Sequence, residues 1–128
     1  MIADRFTRIL VVDDYKSMVD MLRDLLSELG FDDVHEAANG REALEKLRTE
    51  KYGLVISDWK MAPVDGYELL QEVRSDPELK DLPFLMIAAE ARADRVMAAR
   101  DAGVNGFMAK PFTRATLEQK MKALVPTF

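Results

Sequence analysis

Extended, mostly apolar runs alternate with segments of helical period five times along the chain, and no other feature narrows the fold as far. The runs are RILVV (8–12), VHEA (34–37), LVIS (54–57), PFLMIAA (83–89) and GFMA (106–109). After the first, Met18, Leu22, Leu25, Leu26 and Leu29 recur at helical spacing until Gly30 stops them. Asn39 with Glu42, and Asp65 with Glu68, show the spacing of a capping box. The first opens a helix running to about Thr49. The second opens a helix whose apolar face is Leu69, Leu70 and Val73. A fourth helix is expected from Arg92 to Ala102, closed by Gly103, and a fifth, capped by Thr113, carries Leu117, Met121 and Leu124. Continuously apolar strands belong to a parallel sheet covered on both faces. Right-handed crossovers then make the chain an α/β, doubly wound, three-layer sandwich with a five-stranded parallel sheet of (βα)5 type.

Such a sheet binds its ligands beyond the carboxyl ends of its strands. The residues expected there are Asp13 and Asp14 after strand one, Asp58 after strand three, Ala88, Ala89 and Glu90 after strand four, and Lys110 with Pro111 after strand five. Three aspartates and one ammonium crowd one edge. Unpaired carboxylates in a cleft repel one another. A hard divalent cation, Mg²⁺ or Mn²⁺, relieves this and typically takes carboxylates, waters and a phosphate oxygen. Asp58, at the tip of an apolar strand, is then placed to attack a phosphoryl group while the cation and Lys110 offset charge on the transferring oxygens. Any one of these aspartates alone reads as a helix cap or a solvated loop residue. The four groups at corresponding strand ends read as a site.

Composition limits the alternatives. A chain of 128 residues with 48% hydrophobic and 32% charged residues suits one soluble domain, spanning 1–128 with no output domain after it. No apolar run approaches the length of a membrane span, and no signal-peptide core follows Met1. The absence of cysteine rules out disulfides and thiolate metal sites and fits a reducing cytoplasm. A net charge of −5 argues against general affinity for DNA.

The motifs VVDD, ELGF, VISDWKM, VDGYELL, LMIAAEA and AKPFT together resemble a two-component response-regulator receiver domain, and in particular the chemotaxis regulators. The resemblance covers nearly the whole chain. It implies a flavodoxin-like fold with strand order 2-1-3-4-5. It implies Asp58 as phosphoacceptor, Lys110 as the phosphate-binding lysine, Asp14 as direct metal ligand, Asp13 acting through a water, and the Lys60 main-chain carbonyl as the remaining protein ligand. A cis peptide at Lys110–Pro111 follows from the same likeness. So do the partners: a sensor histidine kinase or phosphotransfer protein on one side, and on the other a protein target met by the face of the fourth helix, fifth strand and fifth helix. Such a chain is not an enzyme beyond stoichiometric phosphotransfer to itself and slow autodephosphorylation.

The chain departs from the family in three places. Ala88 stands where the family has Thr or Ser. Phe107 stands where the switch aromatic is often Tyr. The loop reads MAPVDG, with Pro63 one place late. Ala88 matters most, because it removes a hydroxyl that contacts the phosphoryl group, and it predicts small phosphorylation-induced shifts. The competing reading is therefore a receiver-fold adaptor with weak phospho-switching, governed by a partner or an anionic ligand at the fourth helix. Trp59 and Glu90 are expected on the rim, with Glu90 and Lys60 able to pair across the site mouth. Phe107 is expected mainly in the core. Arg92 and Arg95 could share a helix face toward an anion, though a solvated face explains them as well. His35 is a poor phosphorylation candidate. An aspartyl-phosphate phosphatase would need Asp-x-Asp rather than the adjacent Asp13-Asp14, and a flavin carrier would need a hydroxyl- and glycine-rich loop where DDYKS stands.

Overall fold

The apolar runs become a five-stranded parallel sheet of order β2-β1-β3-β4-β5 in the computed structural model, which describes residues 7–89 and 92–125. The strands are β1 (Ile9–Val12), β2 (Val34–Ala37), β3 (Leu54–Asp58), β4 (Phe84–Ala88) and β5 (Gly106–Ala109). The helices are α1 (Lys16–Glu28), α2 (Gly40–Thr49), α3 (Gly66–Ser75), α4 (Ala93–Asp101) and α5 (Arg114–Leu124). The expected class and strand order are both observed, with element ends within a residue or so.

The strands are apolar on both sides because both sides are covered. Ile9, Val11, Ile56 and Ile87 face α1 and α5, meeting Leu22, Leu26, Leu117 and Met121. Leu10, Val12, Val55 and Met86 face the opposite layer, meeting Leu44, Leu47, Leu69 and Val73. Val19, absent from the expected stripe of α1, is buried, while Met18 and Leu25 pack only at its margin.

Local chemistry fixes the helix starts. Asn39 accepts from the Glu42 amide at 3.0 Å. Asp65 and Glu68 make the full reciprocal box, at 2.8 and 3.1 Å. Thr113 caps α5 at 3.2 Å. α1 and α4 start without such help, since Tyr15 and Arg92 at their N-caps make no side-chain cap bond.

Far from the carboxyl ends of the strands, Arg74 binds three segments together. It donates to the carbonyls of Gly103, Lys80 and Leu82 and to Asn105 Oδ1, and Asn105 Oδ1 also accepts from the Phe84 amide. Gly103 has φ of +94°, and a Cβ there would lie 3.1 Å from Arg74 Nε. The turn after α4 therefore needs glycine both for its backbone and for the arginine beside it.

Candidate functional site

β3 runs one residue further than its apolar stretch suggests. Asp58 is its last residue, in register with Ile87, because the Trp59 amide donates to the Ile87 carbonyl at 2.8 Å and prolongs the ladder. The same amide reaches Asp58 Oδ1 at 3.0 Å, so the carboxylate is oriented by the backbone that follows it. Gly66 opens α3 against this turn. Its amide donates to the Trp59 carbonyl at 2.8 Å, and any Cβ on Gly66 would overlap the Asp58 carbonyl. Asp13 is fixed in a similar way: the Tyr15 amide donates to its Oδ1 at 2.9 Å.

The structure brings Asp13, Asp14 and Asp58 together, with one carboxylate oxygen from each within 4.8 Å of the others. Asp13 and Asp58 are 4% and 6% exposed, while Asp14 is open to solvent. Lys110 enters from the end of β5, its amide anchored on the Ala88 carbonyl at 2.8 Å. Its ammonium lies 3.2 Å from Asp58 Oδ1 and 3.5 Å from Asp13 Oδ2. The Lys110–Pro111 peptide is cis, and so is Ala62–Pro63 in the loop after β3.

One ammonium does not satisfy this cluster. Burial pushes the Asp58 carboxyl up from its ordinary value, although Lys110 and the Trp59 amide pull the other way. Burial also pushes Asp13 up, and Asp58 adds to the effect despite the Tyr15 amide and Lys110. Three converging oxygens, two of them from carboxylates disfavoured as anions, are a donor set that suits a hard divalent cation.

The remaining expected residues are placed less uniformly. Ala88 is fully buried at the end of β4, and Ala89 after it is exposed. Lys60 is exposed in the loop after β3. Glu90 lies outside the described residues. Phe107 is half-buried, packed at the margin of the second core and edge-on to Trp59 with centroids 6.3 Å apart. Arg92 and Arg95 do not work as a pair: Arg92 meets Asp94 at 3.4 Å, and the Arg95 guanidinium lies 5.3 Å from the Trp59 ring centroid. His35 is occupied by Asp33 at 2.9 Å and the edge of Tyr52. A cavity of about 680 Å³ between the end of α2 and the segment leading into β4 opens at the opposite end of the strands, away from the carboxylates.

Sequence reasoning missed an aromatic cluster beside the site. Tyr67 stacks on Trp59 with centroids 5.3 Å apart and planes 9° from parallel. The available signal was that Trp59 and Tyr67 bracket a tight loop that folds back through the Gly66 amide.

This arrangement has close counterparts. The chain is 43% identical to chemotaxis protein CheY-3 of Vibrio cholerae serotype O1 over 120 residues, covering 94% of this chain and 92% of that one. It is 41% identical to chemotaxis protein CheY of Pseudomonas aeruginosa over 117 residues, covering 91% and 94%. Among solved structures, Vibrio cholerae CheY4 superposes with a TM-score of 0.86 at 31% identity, covering 94% of this chain and 99% of that one. The receiver domain of a Pseudomonas aeruginosa PAO1 sensor histidine kinase, with a magnesium ion coordinated in its active-site cleft, superposes with a TM-score of 0.85 at 26% identity, covering 94% and 98%. Residues 9–122 match the response regulator receiver domain, and the chain belongs to that family.

Proposed function

We propose that this chain is a response regulator that accepts a phosphoryl group on Asp58 from a histidine kinase or phosphotransfer protein in the cytoplasm. The observation that carries the reading is Lys110, held at once against Asp58 and Asp13 in a cluster of three carboxylates. An Asp58 oxygen forms the new bond to phosphorus as the donor's bond to it breaks, and the leaving group departs with the donor. The Trp59 amide keeps the carboxylate aimed, so little reorganisation is needed at the moment of transfer. Lys110 offsets charge that gathers on the transferring oxygens. Asp13, Asp14, Asp58 and the Lys60 main-chain carbonyl would hold Mg²⁺ or Mn²⁺, whose chemistry there is to neutralise the same charge. The magnesium in the Pseudomonas receiver domain supports that assignment.

Output by protein contact is the companion proposal, and the chemotaxis names of the relatives make a motility target the first to try. A groove of about 400 Å³ between α4, β5 and α5, floored by Val96, Val104 and Phe107 and edged by Arg100 and Lys120, supports this face as the docking surface. Among the described residues, no helix is long and apolar enough to cross a membrane.

Intact mass after treatment with acetyl phosphate and Mg²⁺ tests the assignment. One phosphate should add to the parent and none to Asp58→Asn. A phosphate retained in that variant sinks it.

A second reading keeps the fold and weakens the switch. It is favoured by the fully buried Ala88, which has no hydroxyl to offer, with Ala89 and Phe107 offering none either. Under that reading the protein is phosphorylated but its target affinity barely changes, which a binding titration with and without beryllofluoride decides.

A further inference from the structure

α4 is the helix least tied to the body of the protein. It buries one side chain, Ala99, where α1, α2 and α3 each bury three and α5 two. It lacks a side-chain cap at its start. Its first turns are instead held by Arg95, whose guanidinium lies over Trp59. Among the described residues Arg95 has no carboxylate partner, because the nearby Asp94 is taken by Arg92. Arg95 is half-buried in this position, and so is the ring beneath it.

The ring belongs to the residue that follows Asp58, and the amide of that residue orients the Asp58 carboxylate. Trp59 is also in contact with Tyr67 and Phe107. The Trp59 ring therefore joins α4 to the edge of the carboxylate site and to the aromatic residue of β5.

We propose that Arg95 is the phosphate-responsive residue of this chain. On phosphorylation of Asp58 its guanidinium leaves the Trp59 ring for the phosphoryl oxygens and draws the first turn of α4 with it. This rests on Asp58 being the phosphoacceptor. A cation over an aromatic face is held by the ring quadrupole alone. A phosphoryl group carries up to two negative charges and oxygens spaced to accept the planar guanidinium fork bidentately, which is the stronger bond. Among the described residues the guanidinium thus has the Trp59 ring before phosphorylation and a better partner after it. That differential contact is what a ligand needs in order to shift a conformational equilibrium. Arg95 supplies from α4 the phosphate-sensing donor that Ala88 does not supply from β4. Movement of Arg95 also uncovers Trp59, which edges Phe107, so the change is passed to the α4–β5 face.

Trp59 is the single tryptophan of the chain and reports the event directly. Beryllofluoride with Mg²⁺, a tetrahedral stand-in for the phosphoryl group, is titrated into the parent, Arg95→Gln, Arg95→Lys and Asp58→Asn, with Mg²⁺ alone as the baseline. The parent should show a change in Trp59 emission beyond the baseline. In Arg95→Gln the dissociation constant for beryllofluoride should rise about tenfold, the loss of one charge-assisted hydrogen bond. The emission change should largely vanish there, because the ring is uncovered from the start. Arg95→Lys, which keeps the charge but not the fork, should fall between the two. An Arg95→Gln protein that binds beryllofluoride as tightly as the parent with the same emission change overturns the proposal. The phosphoacceptor reading is read separately, from Asp58→Asn and from intact mass with acetyl phosphate. Beryllofluoride binding to Asp58→Asn, or no mass gain in the parent, overturns that reading and this inference with it. A thermal unfolding midpoint in Arg95→Gln within a few degrees of the parent shows that lost binding is not lost folding.

Discussion

Lys110 Nζ stands 3.2 Å from Asp58 Oδ1, and the two residues come from strand ends that are not neighbours in the sheet: β4 lies between β3 and β5. The Lys110 amide is fastened to the Ala88 carbonyl, which keeps the end of β5 level with that of β4 and lets the pair meet. Lys110→Ala keeps the strand but removes the charge facing the acceptor. Phosphoryl uptake from acetyl phosphate should slow by about 10²- to 10³-fold, the usual loss for one preorganised charge-stabilising donor. The rate of intact-mass gain measures it, and a variant as fast as the parent excludes Lys110 from the transfer.

The buried carboxylates make the metal-free protein sensitive to pH in an unusual direction. Asp13 and Asp58 both have carboxyls raised by burial, so the folded state holds protons that the unfolded state releases. Their effect is absent when both are protonated. It grows as pH rises from the ordinary carboxylate range, roughly 4, through their raised folded values, and stability falls over that window. In EDTA at pH 7, Asp13→Asn should therefore unfold at higher denaturant than the parent, and the difference should shrink as pH falls toward about 4. Mg²⁺ should raise the parent midpoint more than that of the variant. Equal midpoints at pH 7 in EDTA would mean that Lys110 already compensates both carboxylates.

Gly66 offers a test of how sharply the phosphoacceptor is aimed. A Cβ at this position collides with the Asp58 carbonyl and comes within 2.9 Å of the Met86 sulfur. Gly66→Ala should cost about 1–3 kcal/mol of stability, as overpacking does, and should slow phosphorylation even where the protein stays folded. Urea denaturation and the rate of mass gain report the two effects. A folded variant with parental phosphorylation would show that the turn tolerates displacement.

Ala88 is 0% exposed, so restoring the family's threonine is not free. Ala88→Thr should lower stability by about 1–3 kcal/mol through crowding at the end of β4. In the Arg95→Gln background the new hydroxyl should restore part of the amide-shift response at Phe107 to beryllofluoride. No recovery in the double variant would show that this backbone cannot use a donor at position 88.

What the sequence disclosed was governed by short-range rules. The caps at Asn39 and Asp65 are set within four residues: Asp65 and Glu68 make the reciprocal box, whereas Asn39 caps the Glu42 amide but the Glu42 side chain turns to the Ala38 amide instead of that of Asn39. The apolar runs reported sheet burial directly, because parallel strands are covered on both faces. The meeting of Asp13, Asp14, Asp58 and Lys110 was legible through a rule about strand ends, although their order around the site was not. Asp58 itself falls inside β3 because a backbone hydrogen bond from Trp59, not side-chain polarity, decides where that ladder stops. The Arg95–Trp59 contact had no local signature. It depends on where α4 lies across the tip of β3, and α4, reading ADRVMAARD, has too weak an apolar stripe to fix its own rotation. Pairing Arg92 with Arg95 by spacing alone ignored that Arg92 sits at the cap, outside the regular turn.

The Arg74 hydrogen bonds give the fold a pivot. They grip the turn after α4 through the Gly103 carbonyl and Asn105, at the end of the helix away from the carboxylates. α4 is thus tied by hydrogen bonds just past its C-terminal end, whereas Arg92 makes no side-chain cap bond at its start. Rotation about that fulcrum moves Arg92 and Arg95 furthest and Val104 least. A small change in charge at Asp58 would therefore be expressed as an angular change of the whole helix, with Arg74 setting its stiffness.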